Sequence, residues 1–253
     1  MPINFGKRPG IVAYLTAGDP DLATTRDIAL AAIDNGADVI ELGVPFSDPL
    51  ADGPVIQRAS ERAVARGTRL TDVLGLMKEL RAARPAAGLV VFSYLNPVVR
   101  MGMEKFCAAA AEAGADGVLL TDMIVEEAGE YLESMRAHRL APIFLAAPTS
   151  PDARLKAIAA NSQGFVYAIS RVGITGTQQQ VAGDASELVA RLRTFTKLPI
   201  AVGFGISNAE HVKAVGEFAD AAIVGSALVA LIEKTPVDEA AGVIGKFIAE
   251  LRA

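Results

Sequence analysis

The feature that most constrains this chain is an alternation that never stops. Short runs rich in β-branched residues are followed, along the whole length, by longer Ala/Leu-rich runs of helical period. The strand candidates are Gly10–Leu15, Ala37–Leu42, Leu89–Tyr94, Gly117–Thr121, Ala141–Leu145, Phe165–Ile169, Pro199–Val202 and Ala221–Val224. Helical runs cover Thr24–Asn35, Ile56–Arg66, Thr71–Arg81, Glu104–Ala113, Glu126–His138, Asp152–Ala160, Ala185–Thr194, Asn208–Phe218 and Val237–Leu251. Eight such units at ~30 residues each predict a (β/α)8 TIM barrel, and the chain has 253 residues. No Ser/Gly-rich or Pro-rich linker and no charge block divides it, so a single α/β domain over residues 1–253 is expected. An open doubly wound sheet is the rival. It would usually carry Gly-x-Gly-x-x-Gly after its first strand, and Leu15-Thr16-Ala17-Gly18-Asp19-Pro20 does not match.

A weak internal repeat accompanies the alternation. Gly36-Ala37-Asp38-Val39-Ile40 recurs as Gly114-Ala115-Asp116-Gly117-Val118, and more loosely as Ala219-Asp220-Ala221-Ala222-Ile223. Each copy ends a helix and starts a strand just after an Asp. These Asp residues are expected to cap turns on the barrel floor, a stabilising role.

Composition narrows the function classes. The net charge is −5 with no Lys/Arg stripe, which argues against nucleic-acid binding. Cys107 is the only cysteine. It rules out an intrachain disulfide, accords with a cytoplasmic location, and reads as a small buried hydrophobe. The segment MPINFGKRPG lacks the apolar core of a secretory signal, and no charge-free apolar window is long enough to span a bilayer.

In a barrel, chemistry belongs at the C-terminal strand ends. Glu41 lies inside the apolar second strand. Its neighbours Ile40 and Leu42 should face the helices, which turns Glu41 inward. A buried carboxylate is costly unless it is used or satisfied; pairing with a barrel Lys or Arg is the other possibility. Asp52 follows on the loop, in an Asp-Gly-Pro sequence that also reads as a simple turn. Two acids whose surroundings push their pKa values apart can perform acid and base work.

Tyr167 opens a second cluster, where strand Phe165–Ile169 runs into Ser170-Arg171-Val172-Gly173-Ile174-Thr175-Gly176. This polar stretch, continued through Gln178–Gln180 to about Asp184, is long for a βα loop and reads as a lid or a solvated linker. A third cluster joins Gly203-Phe204-Gly205-Ile206-Ser207 and Gly225-Ser226-Ala227. The loops after strands 7 and 8 are the usual phosphate seat of such barrels. His138 and His211 read as surface residues, and no grouping has metal-ligand spacing, so no metal is expected.

Taken together, these motifs resemble one family, the α subunit of tryptophan synthase (indole-3-glycerol-phosphate lyase). Ala13-Tyr14-Leu15-Thr16-Ala17-Gly18-Asp19-Pro20 is similar to its first-strand motif. Glu41-Leu42-Gly43-Val44-Pro45-Phe46-Ser47-Asp48-Pro49 through Asp52-Gly53-Pro54-Val55-Ile56-Gln57 is similar to its long signature. The Tyr167 loop and the two Gly-rich strand ends complete the likeness. The resemblance implies retro-aldol cleavage of indole-3-glycerol phosphate, with Glu41 shuttling protons and Asp52 beside the indole N–H; Tyr167 joins them as a catalytic residue. It implies that Tyr14, Leu119 and Phe204 sandwich the indole, that Tyr94 stands near the mouth, and that Thr175 holds Asp52 when the lid closes. Gly176, Gly205, Gly225 and Ser226 would bind the phosphate. A β subunit carrying pyridoxal phosphate is the implied partner, in an α2β2 tetramer, with this chain binding no cofactor itself. Asp48, Pro49 and the loop around Asp122 are the implied contacts.

The chain departs from the family's pattern in three places. Nine residues precede the first strand, where the family has a longer segment with a helix under the floor. Met123-Ile124 stands where Leu-Pro is usual, and Tyr14 where Phe is usual. Two other functions remain open: a Schiff-base aldolase, which needs a Lys at a strand end, and a non-catalytic regulatory barrel.

Overall fold

The computed structural model describes residues 3–6, 9–169, 178–203 and 205–252. Nine parallel strands form one sheet: β1 Gly10–Thr16, β2 Val39–Gly43, β3 Gly88–Ser93, β4 Gly117–Leu120, β5 Ala141–Ile143, β6 Leu145–Ala146, β7 Val166–Ile169, β8 Ile200–Gly203 and β9 Ala221–Val224. They are ordered β5-β4-β3-β2-β1-β9-β8-β7-β6. The two ends of that order, β5 and β6, are separated in the chain only by Phe144. They are halves of one interrupted stave, so the sheet closes on itself into an eight-staved barrel. Phe144 faces outward, edge-on to Tyr131 with centroids 6.1 Å apart.

Strand alternation sorts the side chains into two cores. Ile11, Ala13, Leu15, Ile40, Leu42, Leu89 and Val91 pack outward against the helices. Val12, Val39, Val90, Leu119, Ile143 and Phe165 fill the barrel's interior. Burying both faces is what near-continuous apolar strands require.

The three repeat Asp residues do more than cap turns. The Asp38 carboxylate accepts the N–H of Ile11 (2.8 Å) on the neighbouring strand, Asp116 accepts that of Leu89 (2.9 Å), and Asp220 that of Ile200 (2.9 Å). Each also pairs with an arginine from a covering helix or its end: Arg252, Arg81 and Arg193 respectively. The same clamp is thus built three times at the amino ends of the strands. Charge-assisted bonds of this kind extend the ladder where strand pairing runs out.

The floor is closed without a helix among the described residues. Ile3 and Phe5 insert into the interior cluster, with Phe5 edge-on to Phe165 at 6.0 Å. Two helices lie beyond those expected, Leu95–Met101 and Ser226–Lys234. The first contains Pro97, but in its opening turn, where proline costs little. One expectation is corrected: Gln178–Asp184 is no part of a loop, because a helix spans Gln178–Arg193. No described helix is long and apolar enough to cross a membrane.

Candidate active site

The second βα loop is held from two sides. Ser60, buried in the helix Pro54–Ala65, accepts the Phe46 N–H (2.7 Å) and donates to the Phe46 carbonyl (3.0 Å). At the far end, Tyr94 Oη accepts the Ala51 N–H (3.0 Å) and donates to Asp52 Oδ2 (2.9 Å). Gln57 Nε2 donates to the Asp52 carbonyl (2.9 Å). Pro54 begins the helix at a position that needs no N–H donor. Asp52 is thereby fixed at the rim.

A cavity of about 470 Å³ opens at the carboxyl ends of the strands. Tyr14, Asp52, Tyr167, Gly205, Gly225 and Ser226 all line it, so residues from five strand ends converge on one space. Glu41 lies one inward step deeper than Gly43 on β2 and is fully buried. Neither of its carboxylate oxygens has a hydrogen-bond partner. The alternative, pairing with a barrel Lys or Arg, does not occur among the described residues. Burial alone pushes its pKa up to about 8. Asp52 is raised to about 6 by burial, moderated by the bond from Tyr94. The Tyr167 hydroxyl is pushed upward, first by burial and then by the nearby Glu41 and Asp52 carboxylates.

Two tyrosine rings reach across glycines. A β-carbon on Gly43 would stand 2.3 Å from Tyr14 Oη, and one on Gly203 2.9 Å from Tyr167 Oη. Both glycines are therefore required by close approach. Thr16 Oγ1 donates to Tyr14 Oη at 3.4 Å, and Phe92 stands edge-on to the Tyr14 ring at 5.0 Å.

Across the mouth, Gly205 has φ +41° and open space around it. Gly225 precedes the helix Ser226–Lys234, and Gly225, Ser226 and Ala227 at that helix N-terminus line the cavity. This is the geometry of an anion seat.

Two of the expected substrate-binding residues do not themselves line the cavity. Leu119 points into the barrel interior and does not itself line the cavity, although its register partner Phe92 on β3 does. Tyr94 does not line the cavity; its ring packs on Phe46 (centroids 5.2 Å) and its hydroxyl serves Asp52. Thr175, Gly176 and Phe204 lie outside the described residues. Phe92, Ile56, Leu145, Ile206 and Ile223 also line the cavity, and were not singled out from sequence, although Phe92 shares the inward parity of Val90. No described lysine lines it, which leaves a Schiff-base mechanism without its amine. Cys107 is buried in the outer core, its thiol raised to about 11 by burial. Among the described residues no cluster could hold a metal ion.

A closed parallel barrel with a ligand-sized, acid-bearing cavity at the carboxyl ends of its strands defines a (β/α)8-barrel enzyme. Comparison with known proteins then fixes which one. The profile of the tryptophan synthase alpha chain family matches residues 3–250. The tryptophan synthase alpha chain of Burkholderia lata is 47% identical over 246 residues, 97% of this chain and 91% of that one. A mutant tryptophan synthase alpha-subunit from Pyrococcus furiosus superposes with a TM-score of 0.88 at 38% identity, over 96% of this chain and 98% of its own. A chain of the tryptophan synthase complex from the same organism gives 0.87 at 38% identity, with the same coverage. The chain belongs to the tryptophan synthase alpha chain family, a lyase family of tryptophan biosynthesis.

Proposed function

We propose that the chain cleaves indole-3-glycerol phosphate to indole and glyceraldehyde 3-phosphate with Glu41 as proton shuttle and Asp52 as electrostatic partner. The observation that carries this reading is Glu41 itself, a fully buried carboxyl with both oxygens unpaired. With a pKa of about 8 it is protonated at neutral pH and can deliver a proton to indole C3. The resulting indolenine accepts the electrons of the breaking carbon–carbon bond as the glycerol hydroxyl becomes an aldehyde. The hydroxyl proton returns to Glu41, so the acid ends as it began. Asp52, ionised above about pH 6, stabilises the positive charge that develops at the indole nitrogen.

The other contacts follow the cavity wall. Tyr14, Phe92 and Ile206 supply apolar surface for the indole ring, with Phe204 as a further candidate. Tyr167 stands on β7 beside both acids. Gly205, Gly225 and Ser226 bind the phosphate through N–H groups, aided by the Ser226 hydroxyl; Gly176 and Thr175 join when the preceding segment covers the site. A regulatory barrel without activity would have no use for an unpaired buried acid, which costs stability.

The chain acts as a single domain, in the cytoplasm, and uses no cofactor of its own. Its partner is a β subunit that carries pyridoxal phosphate and receives indole, in an α2β2 assembly. Support for a docking face comes from the catalytic side. Leu50 is 92% exposed between Asp48–Pro49 and Asp52, and Ile124 beside Asp122 is 45% exposed. The test is indole release from indole-3-glycerol phosphate by the purified chain, alone and with its β subunit. Release in either form supports the reading, and no release in both refutes it.

A further inference from the structure

We infer that Tyr94 is the positioning residue of Asp52, a hydroxyl that clamps both the loop and its carboxylate before any substrate arrives. The inference rests on the role proposed above for Asp52. Tyr94 is the residue at which β3 passes into the helix Leu95–Met101. That junction is itself fixed, because the Asp122 carboxylate accepts the Leu95 N–H (2.7 Å). A tilted stack on Phe46, centroids 5.2 Å apart, holds the ring. From this mount Oη receives the Ala51 N–H and gives its own proton to Asp52 Oδ2. One oxygen therefore sees both the backbone and the side chain of the acid's own turn.

The bond has an electrical consequence. The groups facing Asp52 are Tyr94 from the end of β3, Tyr14 on β1, Glu41 on β2 and Tyr167 on β7. None of these is a cation, and the described residues lining the cavity include none. Tyr94 is the donor that favours the ionised form of Asp52 against burial. It leaves Asp52 Oδ1 for the substrate.

The test compares the full chain with Y94F, measuring kcat and KM for indole release between pH 5 and 9, with thermal melts alongside. Y94F keeps the ring on Phe46, and Ala51 is an exposed residue whose freed, partly buried N–H can take a water. The expected result is a melt within a few degrees of the parent and kcat reduced about tenfold at pH 6.5. KM should stay within about threefold, and the acidic limb should move to higher pH by about half a unit or more. An unmoved acidic limb overturns the inference, whether or not kcat falls. So does a melt lowered by more than about 10 °C, which would make Tyr94 a residue of the fold. D52N is run in parallel. Full activity in D52N removes the role of Asp52 itself. An inactive D52N beside an unmoved Y94F limb refutes only the positioning role.

Discussion

Tyr14 and Glu41 are partners in register on β1 and β2, and both point into the barrel. The acid thus sits beside an aromatic wall, with a buried phenol and no cation among its described neighbours. Its raised pKa is a product of that address rather than of any specific charge.

Replacing Glu41 by Gln keeps the shape and removes the transferable proton. Cleavage should fall at least about 100-fold, while an unreactive glycerol-phosphate analogue binds within about threefold of the parent. Steady-state indole release and calorimetric titration measure the two. Turnover near the parent rate would end the assignment.

The same variant should gain stability at alkaline pH. Glu41 has a folded pKa of about 8 against an ordinary 4.5. Its contribution is intact below about pH 4.5 and is lost as pH climbs toward 8, because the unfolded chain ionises first. Gln stays neutral throughout. The melting temperature of Glu41→Gln minus that of the parent should therefore rise between pH 5 and 8 and then level off. A difference independent of pH would mean that Glu41 is not held protonated.

Cleavage by the parent should show a bell-shaped pH dependence in kcat/KM. The acidic limb near 6 belongs to Asp52, which must be ionised, and the alkaline limb near 8 to Glu41, which must be protonated. A profile flat across pH 6 to 8 would contradict both roles.

Gly205 tests the phosphate seat. Its φ of +41° is a conformation that β-branched residues resist, and the space around it is open. Gly205→Val should raise KM at least about tenfold by displacing an N–H donor, with a smaller change in kcat. An unchanged KM would remove Gly205 from the seat.

Asp116→Ala tests the floor separately. It strips the Leu89 N–H and Arg81 of a shared partner and should cost about 2–4 kcal/mol of stability. At low temperature kcat/KM should stay within about twofold. A large loss of activity with unchanged stability would show that the two ends of the barrel are not independent.

What sequence could reveal depended on which quantity alternation encodes. It encodes facing, so Glu41 was legible as an inward residue, and the three Asp repeats as floor elements. It does not encode which inward residues reach the cavity. Leu119 has the right parity yet does not line the cavity, although its register partner Phe92 does. Tyr94 was reached only through the resemblance, and it stands where β3 has ended at Ser93 and the chain turns into a helix. Phe92 could have been found by the same count. The extent of the loop after β7 was overread because Gln-rich, Gly-containing sequence resembles linker, while Gln178–Arg193 is a helix.

The triple clamp at the amino ends has one more implication. Its carboxylates are saturated by arginine and by neighbouring strands, whereas Glu41 toward the opposite end has no hydrogen-bond partner among the described residues. Rigidity is concentrated at the blind end, so the mouth can harbour an unsatisfied buried acid without unravelling. A barrel of this kind should tolerate exchange of its rim loops far better than trimming of its base.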